Sequence, residues 1–313
     1  MRDVEVLSEL MLRIHRPRID VRVLNIFAPV DENARGADLN IYLETLHEGQ
    51  YLDGFAARNW AAFNPEWFFL NLWGKFLPKI SLILAKTPDA FHLWHTLVPE
   101  DRVLYTGFES RDLHNPSILK LPNHFLHVVG KSTAKGTQQV LEAWRGITHP
   151  LTITTCSSNP SEEQLIRQMT SKWPRDIPQL TYHHNLTDAE MAVVMNRSAF
   201  VIQPSLYEGY GHVIHEALGC RAVVLTTDAP PMNEFGGIDK RMLIPSDRTE
   251  TRMLVEWHYP SVQGIRDTVE RAVAMDAGEL AAIADGARAA FLTEREEFRR
   301  VFTEAIRGWE QWR

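Results

Sequence analysis

Between Phe125 and Thr227 short apolar runs and polar-apolar segments with helix caps take turns, and this rhythm restricts the chain more than anything else in it. Phe125–Val129, Leu151–Cys156, Leu180–His183, Ala199–Gln203 and Ala222–Thr227 read as strands of the length and continuous hydrophobicity that a sheet buried on both faces requires. Thr137–Arg145, closed by Gly146, reads as a helix. Ser161–Gln164 and Thr187–Glu190 are capping boxes that open two more, the second running to about Arg197, and a fourth carries Glu216. Parallel strands joined by right-handed crossovers follow, a doubly wound sheet in which ligands sit beyond the carboxyl ends of the strands. Gly130 and Pro204 stand at two such ends.

Upstream the alternation continues less regularly. Residues 1–17 predict a surface helix, Ile19–Ala28, Ala37–Leu43, Asn59–Phe63, Ile80–Ala85 and Val103–Thr106 predict strands, and Ala90–Leu97 a short helix. Glu66 is expected to open a helix with an aromatic face over Trp67–Leu77. A length of 313 residues accommodates two α/β domains. We expect an N-terminal one over 1–122, a second over 123–295, and a helix over 296–313. The tail from Ser261 reads as helical with Gly264 and Gly286 as punctuation.

Forty acidic against 33 basic residues give a net charge of −7, so no general attraction to nucleic acid or anionic lipid is expected and no stable nucleic-acid partner. Arg13, Arg16, Arg18 and Arg22 read as a solvated face. The two cysteines, Cys156 and Cys220, have neither metal-ligand spacing nor a disulfide framework, which suits a reducing cytoplasm. Met1–Val6 lacks the apolar core of a secretion signal. Asn71, Lys75, Pro78 and Lys79 interrupt the longest apolar stretch, Trp67–Ala85, before it reaches the length of a membrane span. Its first part, Trp67–Leu77, could still lie on a membrane surface, although a buried aromatic helix is the more ordinary account.

The stretch Gln203–Leu218 reads as strand end, glycine loop and helix. Pro204 stops the strand, Gly209 and Gly211 permit a close backbone approach, and a helix from about His212 points its free N–H groups at the same place. Such a helix start attracts an anion. Glu208 lies in the loop and Glu216 on the helix, with seven residues between them. A second basic loop, Gly130-Lys131-Ser132-Thr133-Ala134-Lys135-Gly136, also joins a strand to a helix, and its order of lysine and glycine is not that of a Walker loop.

Together these residues resemble the E-x7-E signature and the G-R…K-G segment of retaining glycosyltransferases of the two-domain GT-B fold, family 4 and its relatives. The likeness covers roughly residues 125–235. It implies two Rossmann-like domains facing a cleft, the N-terminal one reduced here, with the last helix returning to the first domain. It also implies a nucleotide-diphosphate sugar, with a uridine or guanosine base, as donor substrate. Lys131, in the arginine position of the family, and Lys135 would hold the diphosphate together with Gly130, Gly209, Tyr210, Gly211 and His212. Glu216 would hold the ribose, and Glu208 the donor sugar near its reacting centre. Retention of configuration and metal-independent chemistry follow from the resemblance, and the absence of an Asp-x-Asp agrees with the latter. No cofactor is expected.

Asn233 and Glu234 follow the next strand end and could touch donor or acceptor, or simply form a turn. His184, with His183, could border a nucleobase or pack in the core. Asn64, Glu66, Lys86 and Thr87, at element ends of the first domain, are candidates for the acceptor side. The acceptor itself, whether glycan, lipid, protein or a modified base in nucleic acid, is not written in these residues. Where the family has a glycine before the strand after Glu216, this chain has Arg221, from which an altered turn is expected. Two other readings remain open: a sugar-nucleotide 2-epimerase of the same fold, and a non-catalytic nucleotide-binding protein.

Overall fold

The computed structural model describes residues 2–14, 20–46, 49–130, 132, 134–155, 177 and 179–310. The chain divides into two compact units, the first comprising Met1–Ser110, Thr251–Val255 and Glu294–Arg313, the second Arg111–Glu250 and Glu256–Thr293. Lys131, Cys156, Arg16, Arg18 and the Ser161–Gln164 capping box lie outside the described residues.

The first unit is built on four parallel strands in the order β1 (Ala37–Glu44), β2 (Ala56–Phe63), β3 (Leu82–Ala85) and β4 (Val103–Tyr105). Helix α1 (Arg2–Ile14) is not merely superficial: Val6, Leu7 and Leu10 are buried. The expected strand Ile19–Ala28 does not form in its described part. The Asn25 side chain accepts from Phe27 N (3.0 Å) and its carbonyl from Ala28 N (3.0 Å), a local turn that competes with extended backbone. Nor is Trp67–Leu77 one helix. It breaks into a 3-10 turn at Pro65–Trp67, a single turn α2 (Leu70–Trp73) and a second 3-10 stretch at Gly74–Lys79 that contains Pro78. Gly74 and Pro78 are poor helix residues, and the aromatic rings are drawn to tertiary partners instead. Phe68 packs against Phe63 and Trp94 with centroids 5.1 Å away, the last from α3 (Pro88–His95), while Trp67 stays exposed.

In the second unit the predicted rhythm appears as a six-stranded sheet. Its strands are β5 (Leu121–Gly130), β6 (Leu151–Thr155), β7 (Leu180–His184), β8 (Ser198–Gln203), β9 (Val223–Thr227) and the two-residue β10 (Leu243–Ile244), in the order β10-β9-β8-β5-β6-β7. Every pairing in it is parallel. Helices α4 (Thr137–Trp144), α5 (Asp188–Arg197) and α6 (His212–Gly219) connect strands, and the Thr187 capping box is present in both its hydrogen bonds. The core stacks Phe125 on Phe200 (4.6 Å) with Trp144 edge-on.

Beyond the sheet, the polar segment Ser246–Arg252 pairs as β11 with β12 (Val255–Pro260), a hairpin that the sequence reading missed although Val255, Trp257 and Tyr259 alternate with Glu256 and His258. Among the described residues two helices follow, α7 (Val262–Ala274) and α8 (Ala277–Glu310). The glycines do not punctuate them. Gly264 lies inside α7, where a Cβ would come within 2.7 Å of Pro245, and Gly286 lies inside α8 facing open space. The break falls instead at Met275–Asp276, where the Asp276 carboxylate accepts from Glu279 N.

Candidate functional site

Strand order fixes where a site belongs in the second unit. The chain runs from β5 through β6 and β7 on one side, then returns to β8, β9 and β10 on the other. Connections after β5 and β8 therefore leave in opposite directions and open a crevice at their carboxyl ends. The two loops named from the sequence, 130–136 and 204–211, flank that crevice.

Backbone geometry binds them together. Gly130 ends β5 at φ 62° with open space where a side chain would be. Gly136 (φ 67°) could carry no side chain at all, because a Cβ would stand 2.2 Å from the Pro204 carbonyl oxygen. Leu206 N donates to Ala134 O (2.9 Å). Gly211, at φ 102° and ψ 47°, forms the N-cap of α6. Beneath the loops, Thr227 Oγ1 donates to Ser205 O (2.7 Å) and Thr226 Oγ1 to Gln203 O (2.8 Å), while the Gln203 amide donates to Val128 O (3.1 Å).

Lys135 and Glu208 meet across the crevice. The Lys135 amine donates to both Glu208 carboxylate oxygens at 2.6 Å, and Ser205 Oγ donates to Oε1 at 2.6 Å. Both side chains keep some access to solvent, 15% and 9%. His127, which the sequence reading passed over inside its strand, lies directly below and is wholly buried. Its Nδ1–H donates to Ile202 O (2.8 Å), so Nε2 accepts from the Thr137 hydroxyl (2.9 Å) at the first turn of α4. Burial, helped by the nearby Lys135 charge and opposed by the carbonyl bond, pushes its pKa down to about 4. A neutral imidazole thus ties both strands to the helix start.

The remaining predicted residues are placed as follows. Glu216 is buried at 1% exposure, with Arg111 Nε 3.7 Å from Oε1; Arg111 also bonds Asp188 at 2.5 Å. Tyr210 is buried and its hydroxyl meets His215 Nδ1 at 2.9 Å, in an aromatic group with Phe235. Gly209 is buried in the loop, and His212, half-buried, opens α6. His184 Nδ1 bonds Thr155 Oγ1 (2.8 Å), and Asn233 bonds Asp228 Oδ1 (3.0 Å) in the turn that also holds Glu234.

Within the first unit, the Lys86 amine is buried, 2.7 Å from Asp3 Oδ2 and hydrogen-bonded to Asn64, and Thr87 caps α3. Glu66 is half-buried in its 3-10 turn. Sequence reasoning missed Arg111, which stands in no motif. Arg221, where the family has a glycine, takes the left-handed backbone that favours glycine (φ 57°). Among the described residues no group of three or more histidine, cysteine, aspartate or glutamate side chains could hold a metal ion.

Comparison with known proteins agrees with this architecture. Residues 123–254 match the family described as glycosyl transferases group 1. Among solved structures, sucrose-phosphate synthase from Thermosynechococcus elongatus is similar with a TM-score of 0.69 at 14% identity, covering 88% of this chain and 74% of that one. An E. coli structure described as trehalose-6-phosphate bound with UDP-2-fluoro glucose has a TM-score of 0.65 at 11% identity, covering 86% and 73%. A chain of the GtfA/B complex gives 0.64 at 14%, and this chain spans 58% of its length. None of the curated proteins matches in sequence. Over residues 123–254 the chain is therefore similar to the glycosyl transferases group 1, and its fold is that of the GT-B glycosyltransferases.

Proposed function

We propose that this protein transfers a sugar from a nucleotide-diphosphate sugar to an acceptor hydroxyl, with retention of configuration and without a metal ion. The observation that carries the reading is the Lys135–Glu208 pair at the switch point between β5 and β8, beside the N-terminus of α6. A departing diphosphate needs positive groups that are already in place, and an ammonium together with backbone amides supplies them, each well-placed donor contributing about 3 kcal/mol to the barrier. Lys135 would exchange part of its contact with Glu208 for the phosphate. Glu208 and Ser205 would then face the sugar, and Lys131, from the same loop, would add a second positive charge. His127 would work at one remove, by holding Thr137 and the loop with a ring that stays uncharged. UDP-2-fluoro glucose in the E. coli relative supports a uridine nucleotide as the first donor base to try.

A thermal-shift panel of UDP- and GDP-sugars tests this, because a ligand that binds the folded state raises the melting temperature with occupancy. The reading expects one sugar nucleotide to stabilise the wild type and to lose that effect in Lys135→Met. Release of nucleoside diphosphate should depend on added acceptor extract. Conversion of the donor to its 2-epimer without acceptor would instead identify an epimerase.

A further inference from the structure

At the opposite end of the same sheet, the second unit contains a cavity of about 330 Å³. It forms where Lys120 leads into β5, Asn196 leads towards β8, and Cys220 and Arg221 lead from α6 to β9, with Leu280 and Ala284 of α8 completing the wall. These are the amino ends of the strands, so no residue of the donor crevice takes part. The volume is at the lower end of the range for small-molecule sites.

The lining is of two kinds. Ile118, Phe200, Val223 and Leu280 make it apolar, whereas Lys120, Arg221 and His114 are cationic or hydrogen-bonding, and no aspartate or glutamate lines it. The Lys120 amine donates to Ser198 O (2.9 Å) and Asn196 O (3.2 Å), which uses two of its three hydrogens. His114 Nδ1 and Arg221 Nε are buried and make no hydrogen bond. Buried polar atoms without a partner are costly and uncommon in native folds, and they call for something to satisfy them. The local field is positive. After burial, the charges of Arg288, Arg221 and Lys120 hold the His114 pKa down, with only Asp112 opposing. Lys120 is lowered to about 8 by burial, with Cys220 opposing and Arg221 adding to the shift. Because the Arg221 guanidinium also pairs with Asp285, one further negative charge would balance the pocket.

We propose that this cavity is a second ligand site, taking a small organic anion with a single carboxylate head and an apolar body, its head held by Lys120, Arg221 and His114. It is independent of the donor crevice and of the activity proposed for it.

The test is calorimetric titration and thermal shift of the full chain with hexanoate, with hexanol as the uncharged control and UDP as competitor. Saturable hexanoate binding that hexanol does not imitate and UDP does not displace is the expected result. Lys120→Met should weaken it by roughly tenfold or more, as the loss of a charged hydrogen bond does. Arg221→Gly, in which glycine takes the left-handed backbone without cost, should weaken it too while the circular dichroism spectrum stays native. If Lys120→Met does not fold, Arg221→Gly decides. No saturable binding at millimolar hexanoate, equal binding of hexanol, displacement by UDP, or unchanged affinity in the folded variants would each overturn the proposal.

Discussion

Two lysine–carboxylate pairs stand at carboxyl ends of parallel strands in this protein, one in each unit, and they have different fates. Lys86 follows β3; its side chain is 1% exposed, that of its partner Asp3 5%, and its amine lies 5.4 Å from the centre of the Phe108 ring. Lys135 follows β5 at nearly the same distance from its carboxylate, 2.6 Å against 2.7 Å, yet both members reach solvent. Charge type, contact distance and a place beyond the carboxyl end of a strand are alike. What separates them is the covering: α1 contributes Asp3 and packs Lys86 into the first unit, whereas the left-handed loops around Lys135 leave open space over Gly130. A strand end becomes a site only where the charge stays reachable.

The largest effect should come from breaking the enclosed pair. Lys86→Met leaves the Asp3 carboxyl buried without its ammonium and should destabilise the fold by about 3–5 kcal/mol in urea unfolding. Combining it with Asp3→Leu should recover most of that loss. A Lys86→Met protein of unchanged stability but without transferase activity would reverse the comparison. Lys135→Met should act the other way, lowering donor turnover by roughly 10²- to 10³-fold with a smaller stability loss than Lys86→Met, measured as nucleoside diphosphate released.

His127 sharpens the contrast through pH. Its folded pKa of about 4 lies below the ordinary 6.5, so between those values the unfolded chain binds a proton that the fold refuses. Stability therefore falls on acidification through this window, by about 2 kcal/mol at pH 5 from this group alone. His127→Gln should remove that component of the slope, seen as the difference between the two unfolding curves across pH 4–7. The smallest effect is expected of Gly130→Ala, about 1–2 kcal/mol for a left-handed alanine, since nothing lies within 4 Å of the place its Cβ would take. Its melting temperature should fall together with donor affinity, since one loop position serves both.

Much of the second unit was legible before any coordinates. Apolar runs of strand length, a capping box at Thr187 and a proline after Gln203 are local signals, and parallel strands buried on both faces leave few other arrangements. The first unit was less so. Asn25 turns a stretch that alternates like a strand, and Gly74 with Pro78 divides what reads as one aromatic helix, because local hydrogen bonds and tertiary packing outweigh weak periodicity there. Of the site, Glu208 and Lys135 were named from their loops, whereas His127 was hidden in a strand pattern where histidine carries no signal of its own.

The sequence by itself determined the alternating α/β order, the two loops at strand ends and the charged groups they carry, since each depends on neighbours a few residues apart. Only the tertiary structure decided which charges meet. Lys135 and Glu208 are 73 residues apart in the chain, Lys86 and Asp3 83. Whether such a pair is sealed or open depends on what packs over it, which no spacing along the chain encodes.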